Sequence, residues 1–326
     1  MVTVSVIIPN YNHAPFLKQR IESVINQDFQ DFELIILDDC STDNSKEIIE
    51  TYRGDPKIKH IVYNTQNSGS TFHQWNKAVA LAKGELIWLA ESDDVADKDF
   101  LTKLVPYIFA NNEIGIVYCQ SYKLSGLNEV TGSWQSWTDD LDANTFQQPF
   151  FMDGKRFIEK YLVHKNVIPN ASAVLFRKKL YELTGIADTD LKTCSDWLTW
   201  LKILTVGSIA YIPEHLNYFR YHDKSVIARA SADPGEVYLK KYEKRLRVKF
   251  HSFLRSNLVV KNSCKYMYRM NRTFLIKEYE REGLFELGRK KFLAGWANIL
   301  IAAFVFRLNG KIIWKAIKQM HKPSIN

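Results

Sequence analysis

The feature that most constrains this chain is an alternation. Through roughly its first 120 residues, short apolar runs take turns with longer segments whose apolar residues recur at helical spacing. Residues 4–9, 32–37, 58–63, 85–90 and 115–120 read as strands, and 15–27, 45–52, 71–82 and 98–110 as helices. Pro15 suits a first helical turn, where its missing N–H is not needed. Strands alternating with helices predict an α/β domain with a largely parallel sheet. Strands that are apolar along their whole length fit a sheet covered on both faces.

After residue 120 the pattern weakens. Residues 121–149 are mostly polar, with Trp134 and Trp137, and read as a loop or lid; 152–163 reads as a helix. Then come a short strand at 173–176, a helix at 196–204 and separate strands at 209–212 and 217–221. From Glu236 onward the chain is helical and basic. The length of 326 residues fits one large domain, or one domain with an extension.

Charge divides the chain in the same way. The net charge is +8, but residues 240–326 hold 21 Lys/Arg against 5 Asp/Glu. That tail carries about +16 and the remainder about −8, so an acidic body bears a basic tail. Cys40, Cys119, Cys194 and Cys264 show no C-x-x-C spacing and read as reduced thiols of a cytoplasmic protein. Cys40, beside Asp38-Asp39, is placed to line a site. The opening MVTVSVIIPNYNHAPF lacks the basic start of a leader peptide.

Ligands of open parallel sheets bind beyond the carboxyl ends of the strands. Three sequence features fall there: Pro9-Asn10-Tyr11-Asn12, Asp38-Asp39 and Glu91-Ser92-Asp93-Asp94. Carboxylates packed so closely repel one another unless a cation or hydrogen-bond donors hold them. A hard divalent cation shared with substrate phosphates is one solution. The other reading is exposed turns and helix caps, with Asp94 or Asp97 capping the helix from Lys98.

The stretch VSVIIPNYNHAPFLKQRIESVINQDFQDFELIILDDCSTDNS, followed by NSGSTFHQWNKAVALAKGELIWLAESDDV, resembles the inverting glycosyltransferases of family 2. The likeness is specific over residues 2 to about 123, traceable to about 225, and fades in the tail. It implies a GT-A fold: a Rossmann-like, mostly parallel central sheet flanked by helices, here with a C-terminal helical extension. The implied boundaries are a catalytic domain at 1–235, with a nucleotide-binding half 1–123 and an acceptor half 124–235, and an extension at 236–326. Pro9 and Tyr11 would lie against the nucleotide base, and Asp39 would accept a hydrogen bond from the edge of uracil or thymine. Glu91-Ser92-Asp93 stands where the family has its D-x-D motif, with Glu in the first place. Asp93 would bind the Mn²⁺ or Mg²⁺ that bridges the diphosphate, and Glu91 would meet the ribose or a metal-bound water. Asp196, in Thr193-Cys194-Ser195-Asp196-Trp197, would be the general base, although Ser195 replaces the family's usual Glu. A helix cap is its other reading. Arg220 or His222, after a short strand, would reach the diphosphate or the metal. Asn170-Ala171-Ser172 would help frame the acceptor.

The implied partners are a nucleotide-sugar donor, with UDP favoured over dTDP or GDP, and a saccharide or lipid-linked saccharide acceptor in surface-polysaccharide assembly. The tail segment 292–306 is apolar, flanked by Arg289-Lys290-Lys291, Arg307 and Lys311, and shorter than the ~20 residues that cross a bilayer. It reads either as a contact to an anionic membrane surface, placing the protein on the inner face of the plasma membrane, or as a helix packed on its own domain or a homodimer partner. No nucleic-acid-binding motif accompanies the charge. A nucleotidyltransferase would show a Gly-rich phosphate loop after the first strand, and a processive synthase would show spanning helices. A non-catalytic sugar-nucleotide sensor or scaffold remains the alternative to an enzyme.

Overall fold

The computed structural model describes residues 2–223, 225, 237–256, 264–305 and 316. The chain divides into two compact units, Met1–Tyr242 and Glu243–Asn326. In the first unit the expected alternation is present. Strands β1 (Val4–Asn10), β2 (Phe32–Asp38), β3 (Ile58–Tyr63) and β4 (Leu86–Leu89) are separated by helices α1 (Ala14–Ile25), α2 (Ser45–Thr51) and α3 (Thr71–Leu81). All four strands are parallel, with β1 between β2 and β4. Strands β1, β2 and β4 are buried at every position, which explains why their sequences do not alternate. Helix α1 starts with Pro in its first turn and buries Ala14, Leu17, Ile21 and Val24.

The chain continues through β5 (Val95–Ala96), α4 (Phe100–Ala110), β6 (Ile114–Ser125), β7 (Val130–Ser133), β8 (Phe150–Met152), β9 (Val174–Arg177), α5 (Lys178–Leu183), α6 (Ser195–Ile203) and β10 (Ser208–Tyr221). The main strand order is β3-β2-β1-β4-β9-β6-β10-β5. Strand β9 runs against both its neighbours and β5 runs against β10, while the other six share one direction. The sheet is therefore mixed, and its carboxyl edge collects the ends of β1, β2, β4, β6 and β10.

Several expectations need correction. The segment 121–149 is not one loop. Strand β6 runs on to Ser125 and turns back into β7, and short helical turns cover Gln135–Thr138, Asp139–Asp142 and Thr145–Gln147. The polar side chains of β7 are tolerated because that strand is exposed. The helix expected at 152–163 is a strand end at Met152, a helical turn Gly154–Phe157 and a wider π-turn Ile158–Leu162. The two strands expected at 209–212 and 217–221 are one, β10, with register shifts between Ile212 and Asn217. Pro213 lies within those shifts, and a residue without an N–H fits a bulge better than a regular ladder.

In the second unit, α7 (Val237–Ser256, beginning before the division), α8 (Lys265–Gly288) and α9 (Phe292–Leu300) are helical. Helices α8 and α9 approach closely at Gly283 and Gly295. A Cβ on Gly283 would lie 3.0 Å from the Gly295 carbonyl, and the converse holds equally. Leu275, Ile276, Leu287 and Ile299 form the small core around this crossing. With Gly295 and Ile299 turned inward, Phe292, Leu293 and Leu300 face outward. The expected apolar run extends through the π-turn Ile301–Val305, and Phe306 lies outside the described residues. Among the described residues no helix is long and apolar enough to cross a membrane.

Candidate functional site

The first two strand ends are stitched together. Asn10 Nδ2 donates to Asp38 Oδ2 at 2.9 Å, and Ser41 N donates to Asp38 Oδ1 at 2.9 Å. Thr42 N donates to Asn12 Oδ1 at 2.7 Å. Asn12 and Cys40 hold φ values of 57° and 62°, a strained region for residues with side chains that is enriched at functional sites. Pro9 is buried in β1 beside Leu37, and Tyr11 is exposed just past the strand end. Asp38 is thus an organiser of these turns.

Asp39 is surrounded by donors. Asn64 Nδ2 and Gln74 Nε2 reach Oδ1 at 2.6 and 2.9 Å, Asn67 Nδ2 and Ser68 Oγ reach Oδ2 at 3.2 and 2.7 Å, and Ser68 N reaches both oxygens.

The turn after β4 is different. Arg220 staples it: its N–H donates to Asp94 Oδ1, its Nε to the Asp93 carbonyl, and its remaining nitrogens to Ser125, Asn128 and Gln19. Every nitrogen of the guanidinium thus has a partner in the protein. The capping expectation fails: Asp94 serves Arg220, and the N-cap of α4 is Asp99, with no side-chain cap bond. Glu91 accepts from Trp75 Nε1 at 2.7 Å, while its backbone N–H donates to Ser172 Oγ at 3.1 Å.

Electrostatics separate the three carboxyls. Burial, then the neighbouring Asp93 charge, pushes Glu91 up to about 8 and Asp94 up to about 7. Burial also works against ionised Asp93. The His222 hydrogen bond and the His13 and His222 charges outweigh it, so Asp93 lies below the ordinary carboxylate range. Behind the turn sits Arg20, wholly buried over the Trp88 ring at 5.2 Å, with no hydrogen-bond partner for its guanidinium nitrogens among the described residues. Burial lowers it to about 10, opposed by Asp94, Asp93 and Glu91.

Asp93 faces two imidazoles. His222 Nε2 lies 3.1 Å from Asp93 Oδ2, His13 Nδ1 lies 2.8 Å from Ser92 Oγ, and the two rings meet edge-on at 5.3 Å. Donor atoms of His13, Asp93 and His222 lie within 4.8 Å of one another, a spacing that fits one metal ion. One carboxylate and two imidazoles suit Mn²⁺ better than Mg²⁺, which keeps to oxygen ligands. His13 was missed in the sequence; its position directly after the Pro9–Asn12 turn was the available signal.

Asp196 opens α6, after Cys194 at φ 66°. It is half-buried, burial raises its carboxyl above the ordinary range, and Asn166 Nδ2 donates to it at 3.2 Å. One turn along, Trp200 lies 6.4 Å from Trp75, the ring that holds Glu91. Aromatic packing thereby couples the Asp196 helix to the acidic turn.

Comparisons with known proteins bear on the family and the fold of the chain. The family model described as Glycosyl transferase family 2 matches residues 5–183. The chain is 30% identical over 225 residues to TuaG of Bacillus subtilis, named a teichuronic acid biosynthesis glycosyltransferase, covering 68% of this chain and 81% of that protein. It is 36% identical over 110 residues to TarS of Staphylococcus aureus, a poly(ribitol-phosphate) β-N-acetylglucosaminyltransferase, covering 33% of this chain and 19% of TarS. The structure of TarS residues 1–349 with UDP-GlcNAc superposes with a TM-score of 0.62 at 18% identity, covering 98% of this chain and 88% of that one. The mannosyltransferase PcManGT of Pyrobaculum calidifontis, solved with GDP-Man and Mn²⁺, gives 0.55 at 18% identity, covering 99% and 82%.

Proposed function

The chain belongs to glycosyl transferase family 2, and on that premise we propose that it is an inverting, divalent-cation-dependent transferase. It moves a sugar from a UDP-sugar to a saccharide or lipid-linked saccharide in surface-polysaccharide assembly. The observation that carries this reading is the grouping of Asp93 with His13 and His222 at the carboxyl edge of the sheet. The catalytic domain is 1–235, with the donor half at 1–123 and the acceptor half at 124–235. The names of TuaG and TarS, and the UDP-GlcNAc bound by TarS, support the setting and the donor class.

Asp93, His222 and His13 would hold Mn²⁺ or Mg²⁺. When bound, the ion would supply Lewis-acid stabilisation of the departing nucleoside diphosphate. Pro9 and Tyr11 border the base, and Asp39 exchanges its Asn67-Ser68 contacts for the base edge. Ser92 orients His13 through its hydroxyl. Glu91 is fixed by Trp75 and lies on the ribose side. Asp196 takes the proton from the acceptor hydroxyl as that oxygen attacks the anomeric carbon, so configuration inverts without a covalent intermediate. Its raised affinity for a proton makes it a stronger base once ionised.

The basic extension, 236–326, rests on the anionic inner face of the plasma membrane. Exposed Phe292 and Leu293 next to Arg289-Lys290-Lys291 support this. Sedimentation with phosphatidylglycerol vesicles, but not with phosphatidylcholine vesicles, is expected; a packed or dimeric helix would sediment with neither. The donor assignment is tested by calorimetry with UDP, dTDP and GDP, with and without Mn²⁺. Mn²⁺-dependent binding of UDP supports the reading, and no binding of any nucleotide would overturn it.

A further inference from the structure

The acceptor half holds an aromatic ring whose placement the donor chemistry does not explain. Trp137 lies in the helical turn Gln135–Thr138 and is 38% exposed. A single exposed aromatic residue is ordinary; this one is fixed from several sides. Its Nε1 donates to the Asn166 carbonyl at 2.7 Å. Lys165 Nζ donates to the Trp137 carbonyl at 2.6 Å and lies 3.9 Å from the ring centroid. The Trp134 and Trp137 rings stand edge to face at 5.3 Å and 81°. The surrounding segment is tied down as well: Asp142 Oδ2 accepts from Thr145 Oγ1 at 2.7 Å and from Tyr161 OH at 2.8 Å.

The same Asn166 whose carbonyl holds Trp137 donates its side-chain amide to Asp196 Oδ2 at 3.2 Å. The ring and the carboxylate are thus joined through one residue. A pyranose has an apolar face of C–H bonds and a rim of hydroxyls. Lys165 Nζ covers one face of the Trp137 indole; the opposite face can pack against the sugar's C–H face, and a carboxylate beside it can accept a proton from the rim.

We propose that Trp137 is the platform on which the acceptor saccharide packs, joined to Asp196 through Asn166. The ligand class is a pyranoside. This rests on the reading of Asp196 as the general base and extends it by saying what brings the hydroxyl there. Trp137 governs acceptor affinity and leaves the donor nucleotide untouched.

The test uses the full-length protein loaded with UDP and Mn²⁺ on an array of immobilised pyranoside glycans. Wild type is compared with Trp137→Phe, Trp137→Leu and Trp137→Ala, and UDP affinity is measured by calorimetry for each. Wild type should be retained by a subset of the glycans. The Phe variant should stay within about threefold of wild type, and the Leu and Ala variants should lose at least about tenfold, all with UDP affinity unchanged. The Leu variant keeps most of the volume, so it separates loss of stacking from collapse of the turn. Glycan retention by the Leu variant equal to wild type would overturn the proposal, as would UDP-loaded wild type that retains no glycan. Failure of wild type to bind UDP would instead strike the donor-site reading.

Discussion

Two acidic turns leave the same edge of the sheet, and in sequence they look equivalent: Asp38-Asp39 after β2 and Glu91-Ser92-Asp93-Asp94 after β4. Their surroundings are opposite. The first meets donors, from Asn10 and Ser41 on Asp38 to Asn64, Asn67, Ser68 and Gln74 on Asp39. Hydrogen bonds absorb its charge. The second is crowded by its own kind, so Glu91 and Asp94 rise to about 8 and about 7, and Asp93 leans on two imidazoles. Protons and histidines absorb that charge. On the proposed reading a cation acts at the second turn, where it can displace protons, and the first exchanges one set of donors for another.

The largest expected effect falls on neither turn. Asp196→Asn should lower transfer by about a thousandfold, read as UDP release from UDP-sugar, while UDP affinity stays unchanged. A variant that kept full turnover would remove the general base from the account. Next, Asp93→Asn should weaken Mn²⁺-dependent UDP binding by about a hundredfold and leave the metal-free fold intact. Asp39→Asn should instead weaken UDP binding with and without Mn²⁺ alike. It should also cost about 1–3 kcal/mol in urea unfolding, because an amide is placed against the Ser68 N–H. Equal behaviour of the two variants would erase the contrast.

A pH series sharpens it. Glu91 and Asp94 hold their protons more tightly folded than unfolded. Their contribution to stability is full at low pH and is lost as pH rises through about 7 and about 8. Mn²⁺ favours the ionised forms. It should therefore raise the melting temperature more at high than at low pH, by scanning calorimetry, in wild type and Asp39→Asn but not in Asp93→Asn. The smallest effect is at His13→Gln, expected to cost about tenfold in Mn²⁺ affinity with Asp93 and His222 still in place.

How much of this was legible follows from periodicity and range. β1 to β4 and their helices could be read because a strand buried on both faces has a sequence that says so. β5, β7 and β8 could not, since β5 and β8 are only two and three residues long and β7 is an exposed strand of mostly polar residues. β10 was read as two strands because Pro213 interrupts a pattern that the structure bridges with bulges. At the site, the turns at 9–12, 38–39 and 91–94 were legible as clusters. The unlike fates of the two acidic turns depend on Ser68, Gln74, Trp75 and Arg220, which arrive from distant segments. Arg220 was expected to face a ligand, and only the folded position of Gln19, Ser125 and Asn128 shows where its donors go.

The central claim, that the second acidic turn holds a cation and the first does not, is tested most directly by electron–nuclear double resonance on Mn²⁺ bound with UDP. Nitrogen couplings from two imidazoles are predicted, one lost in His13→Gln and one in His222→Gln, with both retained in Asp39→Asn. A Mn²⁺–UDP complex without nitrogen coupling, or one that forms unchanged in Asp93→Ala, would contradict the assignment.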